Sequence, residues 1–100
     1  MSSIVTLLYP STAKFDMDYY ISKHMPFVEA SWSKHGLKEW KVVRLDKSTG
    51  YQTQCILFWD NLEFFNRVIV DETDEVVMDI KNFSDVAPIR IWGDEVKAME

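Results

Sequence analysis

The apolar positions of the chain follow two periods, one typical of strands and one of helices. Residues 3–9 form a short apolar, β-branched run that stops at Pro10, as a buried strand ended by a turn does. After Asp16, a strong helix N-cap, apolar residues recur about every 3.6 positions, which predicts an amphipathic helix to about Lys34. These positions are Met17, Tyr20, Ile21, Met25 and Val28. Gly36 then supplies the left-handed position that ends many helices.

Pro26 interrupts this predicted helix. A proline cannot donate an amide hydrogen to the carbonyl four residues earlier, here that of Ser22, so we expect a kink or a restart. The interruption lies beside His24, which is one helical turn beyond Tyr20. Freed backbone groups near an imidazole are compatible with a functional site, although a kinked helix packed on a sheet needs no function.

Two-residue alternation predicts a hairpin in the middle of the chain. Residues 38–46 and 51–59 read as strands, and the polar segment 47–50 between them contains a glycine. In the second of these strands both faces carry apolar side chains. Thr53, Cys55, Leu57 and Trp59 alternate with Gln52, Gln54, Ile56 and Phe58. Such a strand is expected inside a sheet that is covered on both sides.

The last forty residues predict another helix and another strand. Asp60 or Asn61 caps a helix that extends to about Val70, and residues 75–81 can form a short extra helix. Residues 86–96 read as the final strand, in which Pro88 indicates an edge position or a strand that begins after the proline. Residues 97–100 are expected to fray.

The resulting order, β-α-β-β-α-β, predicts one α+β domain over residues 1–100. Its architecture is ferredoxin-like, with a four-stranded antiparallel sheet and both helices on one face. The other face of the sheet stays apolar, and a 100-residue chain has a marginal core of its own. We therefore expect a homodimer that packs sheet against sheet.

Composition narrows the possible partners and location. The net charge is -5 with scattered basic residues, which disfavours nucleic-acid binding. The single cysteine, Cys55, cannot form an intrachain disulfide and is expected to be a core thiol. The sequence starts without a signal-peptide pattern and has no apolar stretch of membrane-spanning length, so the expected location is the cytoplasm, away from membranes.

Two segments resemble the EthD family, whose members are small proteins of the dimeric α+β barrel superfamily. The first resembles the signature F-D-x-x-Y-Y-x-x-x-H-x-P and comprises Phe15, Asp16, Tyr19, Tyr20, His24 and Pro26. The second resembles D-I-x-N-F-[ST]-D and comprises Asp79, Ile80, Asn82, Phe83, Ser84 and Asp85. Gly36, Leu37 and Trp40 after the first segment, and Pro88 after the second, extend the resemblance over most of the chain.

The resemblance implies a ferredoxin-like monomer that dimerises through its sheet. Some family members resemble cofactor-independent decarboxylases and cyclases of aromatic polyketide tailoring, and others accompany degradative oxidation systems without an assigned chemical step. No cofactor or metal is expected. The family pattern contains no motif for either, and His24 and His35 are too far apart for an H-x-x-x-H metal motif.

Three residues are the candidate catalytic groups. His24 can exchange protons near neutral pH and is the candidate general acid or base. Tyr20 can donate its phenol to a developing oxyanion, although a tyrosine is equally common as a half-buried core residue. Asp85 can orient His24 or bind a substrate hydroxyl, but an aspartate near a turn often only accepts hydrogen bonds from local amides.

Five aromatic residues are candidates for the walls of a substrate pocket between the helices and the sheet. They are Tyr9, Trp32, Trp40, Phe58 and Phe83. Packing in a core that is rich in aromatic residues explains each of them equally well.

Three functions therefore remain open. The first is a small cofactor-free enzyme that uses acid/base chemistry on an aromatic or polyketide-like compound. The second is a non-catalytic ligand-binding or accessory protein of an oxidation pathway. The third is a structural dimer without a ligand. An enzyme needs polar groups that converge on a cavity, a binding protein needs only the cavity, and a structural dimer needs neither.

Overall fold

The strands and helices follow the predicted order in the computed structural model, which describes residues 1–99. Glu100, the last residue of the segment expected to fray, lies outside the described residues. The strands are β1 (Ser3–Pro10), β2 (Leu37–Arg44), β3 (Tyr51–Trp59) and β4 (Ile89–Asp94). The α-helices are α1 (Met17–Tyr19), α2 (Met25–Trp32), α3 (Glu63–Val68) and α4 (Glu75–Met78).

One antiparallel sheet contains all four strands in the order β2-β3-β1-β4. This is the ferredoxin-like arrangement, in which the two halves of the chain interleave. Pro88 directly precedes β4, and β4 is an edge strand, so both parts of the expectation for this proline are confirmed. Among residues 1–99, no helix is long and apolar enough to span a membrane.

The helical segment after β1 contains the predicted interruption, in the form of a π-helical turn. Asp16 caps α1 by accepting a hydrogen bond from the Tyr19 amide at 3.0 Å, as predicted. A π-helix (Tyr20–His24) follows, and it closes with a hydrogen bond from the Met25 amide to the Tyr20 carbonyl, five residues back. Pro26 then lies in the first turn of α2, where its missing amide hydrogen breaks no helical hydrogen bond.

The second helical region is divided into two helices as predicted, but the first of them is shorter than predicted. α3 ends at Val68, and α4 begins after Asp74, whose carboxylate accepts hydrogen bonds from the amides of Val76 and Val77. A 3₁₀-helix (Asp79–Asn82) continues directly from α4. This last turn carries Asp79 toward the π-helix of the first half of the chain.

The two faces of the sheet have different surroundings. The inner face packs against the helices and carries the most deeply buried strand residues. These are Val5, Tyr9, Thr53, Cys55, Leu57 and Trp59. The outer face presents Ile4, Ile56, Phe58, Ile89 and Ile91, and the two isoleucines of β4 are 47% and 56% exposed. A single chain therefore leaves the apolar outer face without a cover.

Candidate functional site

A small, partly open cavity of about 30 Å³ lies between the helices and the inner face of the sheet. A cavity of this size can hold a water molecule or a group of a few atoms. The helical side of its wall includes Tyr20, His24, Met25, Val28, Trp32, Phe65 and Val76. The strand side includes Leu7, Tyr9, Cys55, Leu57 and Arg90. The wall is thus mostly apolar, with a few polar groups that can act on a ligand.

His24 is the titratable group that the π-helix directs into this layer. Its side chain is only 6% exposed, and its ring stacks on the ring of Tyr20 with centroids 5.3 Å apart and planes inclined by 15°. Phe83 packs against both rings, with centroid distances of 4.4 Å to His24 and 4.7 Å to Tyr20. The wider π turn therefore buries Tyr20 and His24 together on one helix face, beside the cavity.

The partner of His24 is Asp79, which comes from the second half of the chain. The Nδ1 atom of His24 lies 2.8 Å from Oδ2 of Asp79. The other carboxylate oxygen accepts hydrogen bonds from the Tyr19 hydroxyl at 2.7 Å and from Nδ2 of Asn82 at 2.8 Å. Three donors thus fix the orientation of the carboxylate, and the carboxylate in turn fixes the imidazole.

The pKa shifts of this pair define its protonation at neutral pH. Burial lowers the pKa of His24, and this effect exceeds the opposing effect of the hydrogen bond and charge of Asp79. Burial alone would raise the pKa of Asp79, but the hydrogen bonds from Asn82, His24 and Tyr19 together lower it. The lowered His24 pKa means that the pair is an imidazole hydrogen-bonded to a carboxylate at pH 7, rather than an ion pair.

This protonation state assigns a role to each ring nitrogen. Because the ionised Asp79 carboxylate can only accept hydrogen bonds, Nδ1 of the neutral His24 ring must carry the hydrogen. The Nε2 atom then has a free lone pair and can take a proton from a ligand. An oriented histidine with an available Nε2 is the usual arrangement of a general base.

Three buried polar atoms beside the cavity lack a hydrogen-bond partner within residues 1–99. They are the Tyr20 hydroxyl, Nε1 of Trp32 and Nε of Arg90. Burial raises the pKa of Tyr20 well above its usual value, and contacts of its hydroxyl with Cys55 and Tyr9, which fall outside hydrogen-bond geometry, raise it further, so the phenol stays protonated. All three groups can therefore donate a hydrogen bond. Buried donors are nearly always paired in folded proteins, so three unpaired donors around one cavity need an explanation.

Cys55 also lines the cavity but is not a candidate nucleophile. Burial raises the pKa of its thiol to about 12, so the reactive thiolate is scarce at neutral pH. This agrees with the sequence-based expectation of a core thiol.

The predicted pocket aromatics divide into two groups. Tyr9 and Trp32 line the cavity, and Phe83 packs on His24 and Tyr20 behind it. Trp40 is half-buried on β2 and donates its indole hydrogen to Glu29 at 2.9 Å, outside the cavity wall. Phe58 lies on the outer face of the sheet, beneath the ammonium group of Lys41. A ligand in this cavity therefore cannot contact Phe58.

Asp85 is not the carboxylate that contacts His24. Its side chain is exposed and accepts a hydrogen bond from the Lys14 amide at 2.8 Å, as an aspartate near a turn often does. It also lines an open surface groove of about 810 Å³. Asp79 occupies the orienting position that the sequence suggested for Asp85.

Sequence reasoning did not select Asp79, Tyr19 or Arg90, although a signal existed for each. Asp79 and Tyr19 both belong to the segments that resemble the EthD family. Arg90 alternates with Ile89 and Ile91 along β4, and because the isoleucines take the outer face, the arginine is left on the inner one. The two-residue alternation shows that Arg90 faces away from the two isoleucines, but it does not show which face of the sheet the helices cover.

Comparison with solved structures supports the fold. A crystal structure of an EthD-like protein from Ralstonia eutropha JMP134 matches with a TM-score of 0.76 and 27% identity, over 93% of this chain and 90% of that one. An ethyl tert-butyl ether D (EthD) family protein from Bacillus halodurans C-125 matches with a TM-score of 0.67 and 21% identity, over 96% of this chain and 100% of that one. No protein-family model and no curated protein matches the sequence. The protein has an EthD-family fold of the ferredoxin-like, α+β type.

The lowered pKa of His24 can be measured directly. A histidine with an ordinary pKa is half protonated at pH 6.5, so the His24 ring should still be neutral there and become protonated only at lower pH. Replacing Asp79 by Asn should lower the midpoint pH of the His24 titration further, because Asp79 stabilises the protonated ring. Long-range ¹H–¹⁵N NMR spectra should also show the hydrogen on Nδ1.

The matched control is Asp85→Asn, which removes a carboxylate that does not contact His24. It should move the His24 midpoint much less than Asp79→Asn does. A wild-type midpoint at or above 6.5, or an upward shift in Asp79→Asn, would contradict the assigned protonation state.

Proposed function

We propose that this protein is a small cofactor-independent enzyme in which His24 exchanges a proton with a carbonyl compound, giving an enolate. The substrate class is an aromatic or polyketide-like small molecule. The observation that carries the proposal is the arrangement of His24: Asp79 holds Nδ1 at 2.8 Å, and the ring borders a cavity that is also lined by Tyr20, whose hydroxyl is buried without a partner.

The chemistry follows from these groups. Nε2 of His24 removes a proton from the carbon next to the carbonyl group, and the electron pair of the C–H bond forms a C=C bond. The carbonyl oxygen becomes an oxyanion, which accepts a hydrogen bond from the Tyr20 hydroxyl. Asp79 stabilises the imidazolium ion that forms, and the imidazolium can return the proton to carbon.

The same enolate serves two reactions. In a cyclisation, the enolate carbon attacks a second carbonyl of the same molecule and forms a C–C bond, the π electrons of that carbonyl move to its oxygen, and the imidazolium of His24 gives the oxygen its proton. In a decarboxylation of a β-keto acid, His24 takes the proton of the carboxylic acid, the electron pair of the broken C–CO₂ bond forms the enolate as CO₂ leaves, and the imidazolium returns the proton to carbon. Both reactions balance without an oxidant or a metal.

The volume of the cavity sets a condition on the substrate. Drug-sized ligands occupy sites of roughly 300–1,000 Å³, whereas the cavity measures about 30 Å³. Ile69, Val77 and Ile80 separate it from the open surface groove, because they line both spaces. Binding of an aromatic substrate therefore requires this short wall to move outward.

We also propose that the functional unit is a homodimer formed through the outer face of the sheet. The supporting observation is the apolar strip on that face, where Ile89 and Ile91 of β4 continue the row of Ile4, Ile56 and Phe58. A large exposed apolar face is uncommon on a monomer and is typical of an interaction surface.

The catalytic role of His24 can be tested with benzoylacetate, an aromatic β-keto acid. The wild-type protein should accelerate deuterium incorporation at its α-carbon in D₂O and its decarboxylation to acetophenone, both followed by ¹H NMR. His24→Gln should reduce the acceleration by about 10²–10⁴-fold, which is the usual contribution of a general acid or base.

His35→Gln is the matched control, since His35 is exposed and stacks on Phe64 away from the cavity. It should retain the wild-type rates. Unchanged rates in His24→Gln would remove His24 from the mechanism. A wild-type protein that accelerates neither reaction would instead favour the non-catalytic binding protein.

The dimer can be tested by size-exclusion chromatography with light scattering at micromolar concentration. Ile91→Glu places a charge in the proposed interface and should give a monomer. Ile21→Glu is the control, because Ile21 is similarly exposed, at 47%, but lies on the helical side of the molecule. A monomeric wild-type protein, or a dimeric Ile91→Glu variant, would rule out this interface.

A further inference from the structure

We infer that Arg90 makes the cavity a site for organic anions, with the negatively charged oxygens of the ligand, such as a carboxylate, bound by Arg90. This inference takes the same cavity as the proposed function and specifies the charge of its ligand. It rests on the position and surroundings of Arg90, together with the unpaired donors of Trp32 and Tyr20.

Arg90 lies at the boundary between the buried cavity and the surface. The residue lines both the cavity and the open groove, and its Nε atom is buried without a hydrogen-bond partner. No carboxylate within residues 1–99 lies within salt-bridge distance of its guanidinium group. The charge of Arg90 thus lacks a fixed counterion in the part of the chain that the structure describes.

The charge of Arg90 acts on the interior of the site as well. Arg90 is opposite Leu7 of β1 on the inner face. Burial raises the pKa of Tyr9 strongly, and the positive charge of Arg90 opposes this rise. The guanidinium group is therefore close enough to influence a second residue of the cavity wall.

An anion matches the unpaired groups better than a neutral ligand or water does. Arg90 and Trp32 can only donate hydrogen bonds, and Arg90 is also positively charged, so a ligand must bring both acceptor oxygens and a negative charge to satisfy it. A water molecule can accept hydrogen bonds from two of these donors, but it does not neutralise the arginine. A carboxylate offers two acceptor oxygens in the planar geometry that a guanidinium group prefers.

The position of Arg90 between the groove and the cavity also gives an anion a route into the site. Arg90 reaches from the groove to the cavity next to Ile69, Val77 and Ile80, which form the wall between the two spaces. An anion in the groove can contact the guanidinium group before this wall opens. The apolar part of the ligand would then pack among Val28, Leu57 and Phe65.

The experiment compares two anions with their neutral amides. Benzoate and benzamide, and acetate and acetamide, are titrated into ¹⁵N-labelled protein, and the indole NH signal of Trp32 is followed, assigned with Trp32→Phe. At least one anion should bind about tenfold or more tightly than its amide. In Arg90→Gln this preference should fall to about twofold or less.

Arg67→Gln is the matched control, because Arg67 is exposed above Phe64 and does not line the cavity. It should keep the full preference for the anion. Arg90→Lys retains the charge but not the planar fork, so it should keep a reduced preference. If Arg90→Gln does not fold, the wild-type comparison and Arg90→Lys still decide the question.

The inference is overturned if each amide binds as tightly as its anion, if the preference survives Arg90→Gln, or if no probe shifts the Trp32 signal. Its failure can be distinguished from failure of the proposed function. His24→Gln should reduce the acceleration of proton exchange with benzoylacetate by about 10²–10⁴-fold while leaving the preference for anions intact, since His24 is not the anion-binding group.

Discussion

The hydrogen bond between His24 and Asp79 is the interaction on which the site depends. It joins the two halves of the chain, because His24 lies in the π-helix of the first half and Asp79 in the 3₁₀-helix of the second. His24 is largely shielded from water, so loss of Asp79 would leave its buried Nδ1 without a partner. The same bond that fixes the second helical region against the first also selects the tautomer of the imidazole.

The backbone around this bond is irregular for identifiable reasons. Pro26 has no amide hydrogen, and the π turn directly before it leaves this proline in the first turn of α2, where that hydrogen is not needed. π turns occur frequently at functional sites, where they place side chains that a regular helix would turn elsewhere. Here the turn stacks His24 on Tyr20 and directs both toward the cavity. The helix interruption that Pro26 predicts therefore forms part of one wall of the candidate site.

The fold was more accessible from the sequence than the site was. The sequence features that predicted the fold are local, and each determines the structure of only a few neighbouring residues. They are the strand alternation, the Asp16 cap, Gly36 and Pro88. Which of Asp79 and Asp85 contacts His24 depends on the backbone path of a short irregular segment. No periodic pattern in the sequence predicts that path. Phe58 and Arg90 show a related limit, because a strand with apolar residues on both faces does not reveal which face the helices cover.

The central claim is that Asp79 acts through His24. A double-mutant comparison of deuterium incorporation into benzoylacetate tests it most directly. Asp79→Asn alone should slow the exchange, but the variant carrying both His24→Gln and Asp79→Asn should be no slower than His24→Gln alone, because residues that act as a unit are strongly non-additive. If the fold-reductions in exchange rate of the two single variants multiply in the double variant, Asp79 acts independently of His24, and the claim is contradicted.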